Sequence, residues 1–181
     1  MHRQFLLEKL ASYRASNDEE NKLLNAMIQF VKTHANCLER NLQTGHITAA
    51  AWIINADRTH VLLTHHRKLN KWLQLGGHAD GDPNVLRVAI REAQEESGLD
   101  AFVPVSEEIF DIDIHEIPPF KSDPLHLHYD VRFLLEADMR GAVKVTHESH
   151  AVQWIPLNKV QDYTSEASIM RMVKKSRLMW G

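Results

Sequence analysis

Glu92, Glu95 and Glu96 fall within the run Arg91-Glu92-Ala93-Gln94-Glu95-Glu96-Ser97-Gly98-Leu99, three carboxylates in five residues. On a helix, positions i, i+3 and i+4 share one face, so the three acids stand side by side. Like charges at these spacings repel by roughly a few tenths of a kcal/mol per pair. A divalent cation held by carboxylate oxygens is the simplest partner that offsets the repulsion. A solvated acidic face is the competing reading for an arbitrary helix.

Histidine is the second residue type in quantity. The sequence has twelve, with His65-His66, His78, His115, His126-x-His128, and His147 with His150 in clusters. His126 and His128 alternate on an expected strand and so face the same way. His78 directly follows Gly76-Gly77. Neutral imidazole is a good ligand for zinc, iron, manganese or nickel and a poor one for magnesium. These residues therefore raise a transition metal as a cofactor, against a surface or hydrogen-bonding role for each taken singly. Arg67, Lys68 and Lys71 lie between a strand and Trp72, where Arg67 and Lys71 can meet phosphate oxygens; a solvated turn reads the same way.

The elements that must carry these residues can be read from pattern. The spacing predicts a helix capped by Asp82, with Pro83 at its first position and Gly98 in the left-handed conformation at its end. Leu86, Ala89, Ile90 and Ala93 form its apolar stripe, so the helix is expected to lie on a core with its acids outward. Gly76 and Gly77 are expected in a loop whose backbone can approach a metal or phosphate closely. Strands are expected at His46–Asn55, Val61–His65, Trp72–Leu75, Phe102–Val105, Glu108–His115, Leu127–Glu136 and Ala151–Pro156, with a Pro-containing loop at 117–126. A closing helix spans about Ser165 to Met179. Residues 2–40 read as two helices, Ser16 and Glu19 resembling a capping box for the second. The chain thus divides into a helical N-terminal extension, 1–42, and a main domain, 43–181. Strands on both sides of a central helix, with another helix at the end, give a mixed α+β layered domain.

With these elements in place, Gly77–Leu99 resembles the signature of the Nudix hydrolases: a glycine, five residues, a glutamate, seven residues, then Arg-Glu-apolar-x-Glu-Glu-x-Gly-apolar. Gly77, Arg91, Glu92, Ala93, Glu95, Glu96, Gly98 and Leu99 match, while the early glutamate falls on Pro83. The resemblance implies the Nudix α/β/α sandwich with a mixed sheet. It implies Glu95 and Glu96 as ligands of Mg2+ or Mn2+, with Glu92 supporting or joining them and a carbonyl of Gly77 or its neighbour contributing. Arg91 would pair with a glutamate and hold it, and Glu148 is the candidate late acid for a general base. Pro83 bears on full metal occupancy; Asp80 and Asp82 are nearby substitutes. The implied reaction is metal-assisted hydrolysis of a diphosphate linkage in a nucleoside diphosphate derivative or related small molecule. The alternative that Pro83 favours is a non-catalytic Nudix module that binds a nucleotide or a partner.

A more distant resemblance is to type I isopentenyl diphosphate isomerase, which holds its metal with histidines and glutamates. Its Cys-Gly-His-Pro motif is similar to Gly76-Gly77-His78-Ala79. Its early strand histidine falls near His46, and its later strand acids fall roughly on His126 and His128. Its catalytic cysteine position is Gly76, and Cys37 belongs to the N-terminal helical region, so the thiol chemistry is missing. A His/Glu metal site on the same fold stays open.

Composition fits a single soluble enzyme. The 181 residues suffice for one substantial core. A net charge of −3 gives no basic footprint for nucleic acid. No apolar run reaches membrane-spanning length, no signal-peptide pattern opens the chain, and the lone Cys37 excludes an internal disulfide. A cytoplasmic location is the default expectation, and a homodimer is a reasonable one for this fold.

Overall fold

The computed structural model describes residues 2–119 and 124–180. Its helices are α1 (Gln4–Ser12), α2 (Asp18–Thr33), α3 (Val85–Ser97) and α4 (Ala167–Trp180). Its strands are β1 (Gly45–Ile54), β2 (His60–His66), β3 (Lys71–Leu73), β4 (Leu75–His78), β5 (Val103–Pro104), β6 (Asp111–Ile117), β7 (His126–Glu136) and β8 (Ser149–Pro156). The α+β class with a mixed sheet and a helical N-terminal segment is as expected from the sequence.

The strands pair in the order β3-β2-β1-β7-β5, with β4 also on β1, β6 on β7 and β8 on β2. The Leu127 amide donates to Thr44 and the Ala137 amide to Ile54. That constant offset makes β1 and β7 parallel, whereas the pairs of β2 with β1, β3 and β8, and of β7 with β5 and β6, are antiparallel.

Two compact units form along the chain, and β1, β4, α3 and β7 each pass from one to the other. The first comprises Met1–Ala50, Gly77–Ala89 and Glu107–Phe133. Its core includes Leu6, Leu10, Met27, Val31 and Ile47, all buried. Local chemistry sets the start of α2. Asn17 Oδ1 accepts the Glu20 amide at 2.9 Å, and the Glu20 carboxylate accepts the Ser16 amide at 2.5 Å and the Tyr13 hydroxyl at 2.5 Å. The cap is therefore Asn17, one residue beyond the expected Ser16, and Glu20 rather than Glu19 reaches back, to the Ser16 amide instead of the cap's own. Helix does not continue to residue 40; turns follow α2, and Cys37 is buried in one of them.

The second unit comprises Ala51–Gly76, Ile90–Ser106 and Leu134–Gly181. Trp52 is fully buried, and its indole N–H donates to Ser176 Oγ of α4 at 2.9 Å. β2 carries β8 along its whole length, from His60 opposite Pro156 to His66 opposite Ser149.

Several boundaries differ from the sequence reading. α3 starts two residues later than expected, because Asn84 is the cap: its Oδ1 accepts the Arg87 amide at 3.1 Å. Asp82 instead accepts the Asn84 amide at 2.9 Å and pairs with the Arg87 guanidinium. Gly98 does adopt φ +68°, as a left-handed helix stop requires. Gly76 and Gly77 lie in β4 rather than in a loop, since β3 and β4 are separate short strands with Gln74 between them. Ile117 ends β6 and His126 begins β7, at the two ends of the expected 117–126 loop, whose residues 120–123 lie outside those described.

Candidate functional site

The carboxylates come first. The buried stripe of α3 runs through Val85, Val88, Ala89, Ala93 and Ser97, while Leu86 and Ile90 are only half-buried. That rotation of the helix decides the fate of the acids. On the helical wheel Glu92 falls between Val88 and Val85, and Glu96 between Val85 and Ala89, so both are drawn inward, and only Glu95 stays exposed. The expectation that all three acids point outward is corrected on this point.

In the second unit Glu92, Glu95, Glu96 and Glu148 form one electrostatic group. Burial, reinforced by the charges of Glu92, Glu148 and Glu95, pushes the Glu96 carboxyl up to about 8. The Gly76 amide opposes this by donating to it, yet Glu96 Oε2 is buried with no hydrogen-bond partner. Glu92 is also raised, by burial first, with the Arg91 guanidinium opposing. Arg91 Nη2 donates to Glu92 Oε1 at 2.7 Å, and its Nε stands 3.8 Å from Glu95. Gly77 is half-buried in β4, directly after the glycine that serves Glu96.

Glu148 is exposed, but the backbone around it is fixed. The Arg67 amide donates to the Glu148 carbonyl at 2.8 Å, and the Arg67 guanidinium donates to the carbonyls of His147 and Ser149, both at 3.0 Å. Arg67 thus spans the turn that presents Glu148. Lys71 Nζ pairs with Glu166 at 2.8 Å. Both sequence-picked phosphate contacts are occupied by protein partners in this state. The sequence reading placed His66 only among the histidine clusters; its imidazole is lowered by burial while the Glu148 charge opposes. That reading missed an aromatic group: His65 stacks on Trp72 at 5.1 Å, and Tyr163 meets Trp72 edge-on at 5.4 Å. With Lys71 and Glu166 these rings line an open recess of about 370 Å³.

His46, His78, His126 and His128 gather in the first unit. His46 is the second residue of β1, His78 ends β4 and His128 lies on β7, the two latter strands each hydrogen-bonded to β1. Their ring centroids are 4.9 to 5.1 Å apart, and His126 lies 5.0 Å from His46. Burial first, and then neighbouring positive groups, lower all three imidazoles, His78 to about 4 and His128 to about 2. For His46 the Leu42 carbonyl tempers the effect without reaching hydrogen-bond geometry. Of the proposed substitutes for the early glutamate, Asp80 pairs with the Arg40 guanidinium and Asp82 with Arg87. Each already has its cation.

A family model for the NUDIX domain matches residues 44–175. The chain belongs to the Nudix family. No curated protein matches it by sequence. Among solved structures, the MutT protein of Methanosarcina mazei Go1 superposes with a TM-score of 0.58 at 19% identity, over 76% of this chain and 96% of that one. A C. elegans Ap4A hydrolase gives 0.56 at 17% identity, over 74% and 96%. The E. coli dihydroneopterin triphosphate pyrophosphohydrolase gives 0.55 at 16%, over 71% and 92%. These likenesses establish a Nudix fold, and the Nudix signature lies on α3 and the strand before it.

Proposed function

We propose that this Nudix chain hydrolyses the diphosphate linkage of a nucleoside diphosphate derivative, using a hard divalent cation held by Glu92, Glu95 and Glu96. The observation that carries the reading is Glu96. A buried carboxylate oxygen without a partner, among three further carboxylates, costs stability unless a cation joins it, so the donor set fits Mg2+ or Mn2+. Bound there, such a cation neutralises phosphate oxygens and makes water a better nucleophile.

The chain's own residues do the positioning. Gly76 N–H fixes Glu96, and Arg91 fixes Glu92. Arg67 fixes the turn at 147–149, from which Glu148 takes the proton of the attacking water. The water oxygen bonds to phosphorus, the bond to the bridging oxygen breaks, and each product leaves with a phosphate group. Positioning and charge stabilisation supply most of the acceleration in such transfers. The His65–Trp72–Tyr163 rings offer a surface on which a nucleobase can stack, which supports a nucleoside substrate. Named neighbours that act on Ap4A and on dihydroneopterin triphosphate fit the same class.

The test is phosphate release from a panel of nucleoside diphosphate derivatives with Mg2+ or Mn2+, for wild type and Glu96→Gln. Metal-dependent release that falls at least about a hundredfold in the variant is expected. Release unaffected by the substitution sinks the assignment. Pro83 in place of the early glutamate favours a second reading, a module that binds a nucleotide without cleaving it. A Shewanella oneidensis NrtR NUDIX domain has been solved with ADP ribose. Nucleotide binding without turnover over the whole panel would favour this second reading.

A further inference from the structure

The imidazole cluster has no part in the hydrolytic scheme above, and it is costly as it stands. His46 is 3% exposed, and neither of its ring nitrogens has a hydrogen-bond partner. His128 Nε2 is likewise buried and unpartnered. A buried polar group that nothing satisfies destabilises the fold, yet the fold brings these rings together on neighbouring strands. One ligand nitrogen from each of His46, His78 and His128 lies within 4.8 Å of the others. Around a tetrahedral ion, imidazole nitrogens sit ~3.4 Å apart, so small side-chain rotations close the set.

We propose that His46, His78 and His128 bind a transition-metal ion of imidazole preference, zinc being the simplest, through a ligand set that shares no residue with the carboxylates. Three imidazoles leave one coordination position for water or a substrate oxygen. His126 stands beside them with its Nδ1 donating to the Pro124 carbonyl at 2.8 Å, since a carbonyl only accepts. Its Nε2 therefore keeps a lone pair. The next ring along, His115, faces His128 across the β6–β7 pair and lies 3.4 Å from Asp113, the kind of carboxylate support that orients histidines around a metal. Hard Mg2+ would not choose this set, because it prefers oxygen ligands and gives up its water reluctantly.

The inference does not depend on the hydrolase reading, and its test reads metal rather than turnover. Full-length protein stripped with chelator is titrated with Zn2+ in millimolar Mg2+, and the one-equivalent complex is examined by X-ray absorption. One tightly held zinc is expected, with a nitrogen-dominated shell showing imidazole scattering. His46→Gln and His128→Gln should each weaken binding at least about a hundredfold, with folding checked by circular dichroism, while Glu96→Gln leaves it within about threefold. An oxygen-dominated shell in the wild type, zinc displaced by Mg2+, zinc lost in Glu96→Gln, or no tight zinc at all would each overturn the site. The absorption spectrum needs no variant, so a poorly folding histidine substitution does not blunt the test.

Discussion

Without a metal, Glu96 sits where its charge is disfavoured, and that has a measurable consequence for stability. Its carboxyl is pushed up to about 8, chiefly by burial, against roughly 4.3 in an unfolded chain. Below about pH 4 both states are protonated and Glu96 contributes no pH dependence. Between there and about pH 8 the unfolded state sheds the proton and the folded state keeps it, so stability falls as pH rises. Glu96→Gln abolishes this dependence. In chelator, denaturant midpoints of wild type and variant should be close at pH 4.5 and separate toward pH 8. The variant becomes more stable by roughly a few kcal/mol. A wild type that gains stability over this range relative to the variant would show that Glu96 is charged and satisfied by protein alone. The residue types at this position were legible in the sequence; their burial was not. A glutamate reads as a solvated residue, and only the rotation that buries Val88 and Val85 instead of Leu86 turns Glu92 and Glu96 inward.

At the scale of elements, β6 and β7 carry a polar ladder on one face of a buried pair. Register places Asp111 opposite Arg132, Asp113 opposite Asp130 and His115 opposite His128, while Ile112 and Val131 on the other face are also buried. Arg132 donates to Asp130 Oδ2 at 2.7 Å, to Asp111 Oδ2 at 3.0 Å and to Asp113 Oδ2 at 3.4 Å, and Thr48 Oγ1 donates to Asp130 at 2.9 Å. Arg132→Met removes the guanidinium that the three carboxylates share. It should cost about 3–5 kcal/mol, read as a fall in thermal midpoint, because breaking a buried pair from one side strands the remaining charge. A loss under ~1 kcal/mol would mean that water or relaxation replaces the guanidinium. The alternation was visible in DIDIHEI and HLHYDVRF, and the strands were expected. Which face met the core was not, because a strand buried on both faces hides polar and apolar residues alike. The shift of the α3 cap from Asp82 to Asn84 has a similar origin: three consecutive residues, Asp82, Pro83 and Asn84, all suit a helix start, and only the Arg87 amide selects between them.

Over the whole molecule, the two proposed ligand sets have opposite chemical preference, oxygen-rich in one unit and imidazole-rich in the other. An ion that binds the folded chain and not the unfolded one stabilises by RT ln(1 + [L]/Kd), about 2.7 kcal/mol at a hundredfold excess over Kd. For a chain of this size that is roughly 5–10 °C in thermal midpoint. Starting from stripped protein, Zn2+ and Mn2+ should therefore give separate increments. The zinc increment should survive Glu96→Gln and vanish in His46→Gln, and the manganese increment should do the reverse. Mn2+ tolerates imidazole as well as carboxylate, so Mg2+ serves as the control that reads the carboxylates alone. A single increment shared by both ions, abolished equally by either substitution, would mean that the glutamates and histidines serve one centre, and the two-set description would fall. Independent increments would instead show a Nudix chain that carries a second metal through residues outside its signature helix.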